Sequence, residues 1–261
     1  MDKDTKVVIF CGGRGTRLKE KTEDIPKPLV PIGNMPILWH IMKGYETKGF
    51  SNFVLCLGYQ GEKIKDFFMR YSALHSDFTI NTRMGGIISH NSLAENWNVT
   101  LVDTGLESET GYRLGMVSQY LEQSPYFMVT YGDGVSDVDV KKVLKLHQKN
   151  KTLGTITGFH ERSRYGKIKV DEKNIATSFV EKPILEDLVN GGFMIFNREF
   201  LKHPMLKENV TFEEILENLT QQKQLSVYLH NGFFHPMDTI RDYEALNKMW
   251  ENGDAPWKKW K

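Results

Sequence analysis

The sequence predicts an α/β fold, a mainly parallel sheet with helices on both faces, and three observations carry that expectation. Short apolar runs rich in β-branched or aromatic residues recur at residues 7–11, 53–57 and 126–130; they are too short for helices and too continuous for half-exposed strands, so they read as strands buried on both sides. Between them, apolar residues fall at helical spacing, as in Ile37, Ile41 and Tyr45 or Ile64, Phe67, Phe68 and Tyr71, which marks helices packed on a sheet. Each buried run also ends in glycine (Gly12, Gly58, Gly132), and in open α/β sheets ligands bind beyond the carboxyl ends of the strands.

The elements follow in order. Residues 7–11 stop at Gly12-Gly13-Arg14-Gly15-Thr16-Arg17. Pro36 can begin the first helix, which Gly49 stops. A strand over 53–57 and a helix through Ile64 and Tyr71 come next. Residues 72–96 lack a period, and Met84-Gly85-Gly86 and Asn91-Ser92 read as loops forming a flap or an oligomer contact. Residues 97–103 form a strand that delivers Thr104-Gly105, and Thr110-Gly111-Tyr112-Arg113-Leu114 opens a helix reaching about Leu121. The strand over 126–130 leads to Asp133 between Gly132 and Gly134. Val140, Val143, Leu144 and His147 mark a helix, with strands around 153–159, 166–170, 175–180 and 193–196 after it. Thr211-x-x-Glu214 is a capping box that starts a helix. Residues 225–230 form a strand, and Ile240, Tyr243, Leu246 and Trp250 form the final helix, closed by Gly253. The aromatic, basic tail from Pro256 to Trp260 is expected to pack on a neighbouring molecule.

At 261 residues the chain can bury a sizeable core as one unit, and no linker, repeat or low-complexity stretch divides it. With 34 basic and 33 acidic side chains the formal net charge is +1. No global field recruits nucleic acid or an anionic membrane, so a hold on a polyanion has to come from local clustering. Cys11 and Cys56 lie in strand-like runs without a C-x-x-C partner and are expected to be buried, inert thiols. With the charged start Met1-Asp2-Lys3-Asp4 and an apolar run broken early by glycine, neither a signal peptide nor a membrane span is expected. A cytoplasmic protein is the expectation.

The chemistry concentrates between residues 6 and 31. Glycines allow a backbone to approach a ligand closely with its N–H groups turned inward, and Arg14, Thr16 and Arg17 add donors, so the loop is a candidate phosphate cradle. Lys27, between Pro26 and Pro28, is presented from a stiff segment. The dinucleotide pattern G-x-G-x-x-G fails because Leu18 stands where its third glycine belongs, and no Lys follows a suitably spaced glycine for a P-loop. The loop reads equally as a tight turn after a strand, with Arg14, Arg17 and Lys27 merely solvated. No G-x-S-x-G elbow, H-E-x-x-H or zinc spacing occurs.

Gly12-Gly13-x-Gly15-Thr16-Arg17-Leu18 followed by Lys27-Pro28-Leu29 resembles the signature of the sugar-phosphate nucleotidyltransferases. Val99 to Gly105, Tyr131-Gly132-Asp133-Gly134-Val135, Glu181-Lys182-Pro183, Asn190-Gly191-Gly192-Phe193, Pro236-Met237-Asp238-Thr239 and Ala255-Pro256-Trp257-Lys258 look like their glucose-1-phosphate cytidylyltransferase branch. The resemblance implies the Rossmann-like, mixed but mainly parallel nucleotide-diphospho-sugar transferase fold. In one domain, a nucleotide-binding part would span about 1–150, and a part completing the sugar-phosphate and metal sites about 151–261. The activity it implies joins CTP and glucose 1-phosphate to give CDP-glucose and pyrophosphate for cell-surface glycans. A closed homo-oligomer, such as a hexamer, is implied too.

In that reaction a phosphate oxygen attacks the α-phosphorus in line. A phosphate monoester has a second pKa of about 6 and is already charged, so the protein has to gather two anions and neutralise the charge that accumulates. By resemblance, Gly12, Gly13, Arg14, Gly15, Thr16 and Arg17 would hold the triphosphate and Lys27 would reach the α-phosphate. Thr110, Gly111 and Arg113 would lie by the base. Glu181, Lys182, Asn190 and Gly191 would take the sugar phosphate, Gly191 by letting the ring approach the backbone. Asp133 and Asp238 would hold Mg²⁺, a hard ion suited to carboxylate and phosphate oxygens. Plainer readings stand beside these: Asp133 as a turn residue, Asp238 as the N-cap of the last helix, Glu181-Lys182-Pro183 as an exposed turn. Arg14 departs from the branch, where a smaller or apolar residue is usual. Another acceptor or pyrimidine nucleotide, or a silent nucleotide-sugar-binding regulator, would share most of these residues.

Overall fold

A computed structural model describes residues 4–163 and 165–260; Met1, Asp2 and Lys3 of the charged start lie outside them. Eight strands form the central sheet: β1 (Lys6–Cys11), β2 (Asn52–Leu57), β3 (Asn98–Asp103), β4 (Tyr126–Tyr131), β5 (Gly154–Arg162), β6 (Ile184–Asn190), β7 (Met194–Asn197) and β8 (Leu225–His230). β1 lies parallel between β2 and β4, and β3 continues the parallel set beyond β2. β7 runs antiparallel to both β4 and β5, while β8 pairs parallel with β5. The sheet is therefore mixed and mainly parallel, as expected.

Helices α1 (Ile37–Glu46), α2 (Gly61–Leu74), α3 (Thr110–Met116), α4 (Val140–Asn150), α5 (Phe212–Gln221) and α6 (Ile240–Glu251) cover it. Successive strand residues point to opposite faces. Val7, Ile9 and Cys11 thus join one buried cluster with Ile41, Ile64, Val143 and Leu246 from α1, α2, α4 and α6. Val8 and Phe10 join the other with Leu114 and Ile215 from α3 and α5. Burial on both sides explains why the parallel strands read as unbroken apolar runs. Both cysteines are free and buried, and burial raises both thiol pKa values, that of Cys56 to about 12. No helix among the described residues is long and apolar enough to cross a membrane.

Four local expectations are corrected. Residues 184–190, between the strands expected at 175–180 and 193–196, form β6; its sequence neither alternates nor forms an apolar run, because the strand is mostly exposed and among the described residues pairs with β5 alone. Residues 72–96 contain a hairpin, Asp77–Ile80 with Ile87–His90, whose eight residues are all exposed. The helix from Thr110 ends at Met116 and continues only as a 3₁₀ turn, Ser118–Tyr120. The tail folds back on its own chain: Trp257 is buried, its indole N–H donates to His40 Nδ1 at 3.4 Å, and Trp260 packs on Trp39.

Candidate active site

The glycine loop leaves the carboxyl end of β1 and rests on Arg113. A Cβ at Gly12 would lie 2.3 Å from Arg113 Nη1, so glycine alone lets the loop settle on the guanidinium. That guanidinium is almost fully buried and donates to Leu57 O at 3.0 Å, Thr104 Oγ1 at 2.8 Å and Gly105 O at 2.8 Å. Gly15, at φ +62°, turns the chain so that the Leu18 N–H donates to its carbonyl at 3.0 Å. The Thr22 hydroxyl donates to the same carbonyl at 3.1 Å.

Lys27 sits opposite, at the start of the short turn Lys27–Leu29. Its Nζ donates to Asp133 Oδ2 at 2.7 Å and to Asp238 Oδ1 at 2.6 Å, and Arg17 Nη1 lies 3.1 Å from Asp238 Oδ2. Burial opposes the charge on Lys27, but the two carboxylates outweigh it and raise the ammonium pKa, so the group stays cationic.

Asp133 lies just past β4, and the Gly134–Ser136 segment after it pairs antiparallel with Phe234–Pro236. The Met237 N–H then donates to Asp133 O at 2.8 Å, which brings Asp238 alongside. Thr239, not Asp238, caps α6: Asp242 N–H donates to its Oγ1 and Thr239 N–H donates back to Asp242 Oδ2. The carboxylate of Asp238 is left for Lys27 and Arg17.

Gly13, Gly15, Thr16, Arg17, Lys27, Thr110, Tyr131 and Asp133 line one cavity of about 240 Å³, where a single water needs only about 10–15 Å³, so there is room for a polyphosphate. Asp133 and Asp238 flank one ammonium, each within hydrogen-bond distance of it. Among the described residues no group of three or more His, Cys, Asp or Glu side chains could hold a metal ion. Such a pair fits Mg²⁺, which typically takes one or two carboxylates plus substrate phosphates and keeps several waters.

Other expected residues are placed differently. Arg113 braces the loop from beneath and does not line the cavity. The Gly111 N–H donates to Val210 O at 3.0 Å, and a Cβ there would meet Ile215, so this glycine serves the packing of α3 on α5. Gly191 makes room for the Phe159 ring, 2.1 Å from where its Cβ would stand. Arg14 pairs with Glu107, both exposed. Lys182 is exposed at φ +47° with Glu181 at 3.6 Å. Asn190 approaches the cavity wall, its Nδ2 3.5 Å from Tyr131 Oη.

Two neighbours have no role assigned from the sequence: Tyr131, which appears there only within the motif around Asp133, and Glu213. Tyr131 lines the cavity and its hydroxyl donates to Glu213 Oε1 at 2.6 Å; burial and that carboxylate raise its pKa. Its place immediately before Gly132-Asp133 was a usable signal, whereas Glu213 has none beyond lying inside a capping box.

Residues 6–257 match the model of the nucleotidyl transferase family. The chain is 42% identical to the glucose-1-phosphate cytidylyltransferase of Salmonella typhi, over 98% of this chain and 99% of that protein. It is 38% identical to the probable glucose-1-phosphate cytidylyltransferase of Bacillus subtilis, over 98% and 100%. The crystal structure of HddC from Yersinia pseudotuberculosis superposes with a TM-score of 0.69 at 24% identity, over 94% of this chain and 99% of that one, a likeness of fold.

Proposed function

Since the chain belongs to the nucleotidyl transferase family, we propose that it joins CTP to α-D-glucose 1-phosphate, releasing pyrophosphate and CDP-glucose. Identity of 42% along nearly the whole chain to a glucose-1-phosphate cytidylyltransferase supports this choice of substrates. The observation that carries the mechanism is the convergence of Lys27, Arg17, Asp133 and Asp238 beside the glycine loop.

The loop around Gly13, Gly15 and Thr16 binds the triphosphate through backbone and hydroxyl donors. Arg17 orients the leaving pyrophosphate. Lys27, stiffened by its prolines and kept cationic by the two carboxylates, turns an N–H from them to the α-phosphate as charge accumulates there. Lys182, loosely held by Glu181 at 3.6 Å, takes the sugar phosphate, and Asn190 a sugar hydroxyl. Asp133 and Asp238 would hold Mg²⁺, whose charge would offset that of the gathered phosphates. No side chain has to deprotonate the nucleophile.

A cytoplasmic homo-oligomer completes the reading. Unpaired cysteines support the compartment. Exposed Phe78 and Ile80 on the hairpin Asp77–Ile80 with Ile87–His90, and Ile168 and Phe179 on a second hairpin, Lys167–Val170 with Ala176–Val180, together with a net charge near zero, support self-association. The decisive experiment is pyrophosphate release from CTP, UTP and dTTP, each with a panel of sugar 1-phosphates. Release confined to CTP and glucose 1-phosphate is expected; tight CTP binding without release from any acceptor would overturn the enzymatic reading.

A further inference from the structure

The two carboxylates at Lys27 come from segments far apart in the chain, and the ribbon that aligns them is short. It has three residue pairs, Phe234 with Ser136, His235 with Val135 and Pro236 with Gly134. Isolated two-stranded pairs are marginal in water, and Pro236 has no N–H to contribute. A slip by one residue would turn Asp238 to the opposite face and bring Met237 or Thr239 to Lys27. Some other contact therefore has to hold the register.

One anchor is Met237, fully buried. The second lies at the other end of the ribbon, on Asp137. Its Oδ1 accepts from the Phe233 N–H at 2.7 Å and from His230 Nε2 at 2.8 Å, and Lys259 Nζ lies 3.6 Å from Oδ2. Its own N–H donates to Phe233 O at 3.2 Å, and the Ser136 hydroxyl donates to that carbonyl at 2.6 Å. His230 is itself braced edge-on against Phe159, ring centroids 5.1 Å apart. Burial disfavours the Asp137 charge, but these donors outweigh it and hold the carboxyl below its ordinary range. At Gly232 a Cβ would fall 2.4 Å from both Asp137 Oδ1 and His230 Nε2, so the turn closes tightly around this carboxylate.

We propose that Asp137 is a positioning residue for the reaction: with His230 it clamps the ribbon so that Asp238, and not a neighbour, meets Asp133 at Lys27. Its consequence for catalysis rests on the assignment of Asp133 and Asp238 to the metal.

Asp137→Ala, His230→Ala and Asp137→Asn test this in the full chain. In Asp137→Ala, the Met237 amide, which donates to Asp133 O, should exchange with deuterium faster than in the native protein. The Mg²⁺ concentration for half-maximal Mg²⁺-dependent CTP binding should rise about tenfold, the low end for residues that orient metal ligands, with metal-free CTP binding unchanged. Asp137→Asn, which keeps an oxygen for Phe233 N–H and His230, should restore both, and His230→Ala should move both in the same direction by less. If Asp137→Ala does not fold, His230→Ala carries the test. Native protection of Met237 together with a native Mg²⁺ requirement in a folded variant would overturn the proposal. Native CTP binding indifferent to Mg²⁺ would overturn the metal assignment instead, and exchange at Met237 would still decide the clamp.

Discussion

Lys27 is the residue on which the site converges, and its environment sets what substitution does. Lys27→Met removes the cation between Asp133 and Asp238 and leaves two carboxylates facing each other. Turnover should fall by about 10²–10³, the usual effect of deleting one preorganised donor, read as pyrophosphate release. Lys27→Arg should not rescue it, because a planar guanidinium cannot take the place of a compact ammonium. Asp133→Asn keeps the size of the side chain and removes its charge; Mg²⁺-dependent turnover should vanish with little change in melting temperature, and native rates would reject the metal assignment. His40 gives a third, independent prediction. Burial lowers its pKa to about 4, while an unfolded imidazole titrates near 6.5. Below pH 6.5 the unfolded chain takes up a proton that the folded chain refuses, so stability falls as pH drops from 6.5 towards 4, by about 3 kcal/mol. Denaturant unfolding at pH 7 and pH 4.5, with His40→Gln as comparison, checks the sign; burial likewise lowers His147, which adds in the same direction.

At the scale of elements, ends matter more than middles. α6 begins at Thr239 through a reciprocal box with Asp242, and this frees the neighbouring Asp238 for Lys27. Thr239→Ala should lower stability by about 1 kcal/mol, measured by denaturant unfolding, and Thr239→Ser should recover most of it. The box at Thr211 and Glu214 was legible because Glu stands three residues after a Thr and apolar residues follow. The box at Thr239 was not singled out, since Asp238 offered itself as a cap one residue earlier. Buried strands were legible for a similar local reason: β1, β2 and β4 have a side chain to hide at nearly every position. β6 has few, so its pairing with β5 leaves no trace in its own composition.

For the whole molecule, the sheet brings the ends of β1 and β4 side by side, and the ribbon joins the C-terminal third to them. Exposed apolar side chains on the two hairpins should make the protein self-associate. Light scattering after size exclusion should give a multiple of the chain mass, and Ile168→Glu with Phe179→Glu should reduce it; a monomeric native chain would reject this. The sequence by itself determined the alternation of strands and helices, the glycine loop, the stiffened Lys27 and the family resemblance, because each is written in residues near one another along the chain. Only the tertiary structure decided that Lys27 is shared by Asp133 and Asp238, that Arg113 and Gly111 serve the scaffold, and that the aromatic tail closes on α1 of its own chain. Periodicity records how each residue is buried relative to its neighbours, whereas the meeting of distant charges depends on strand order and ribbon register, which no local pattern contains.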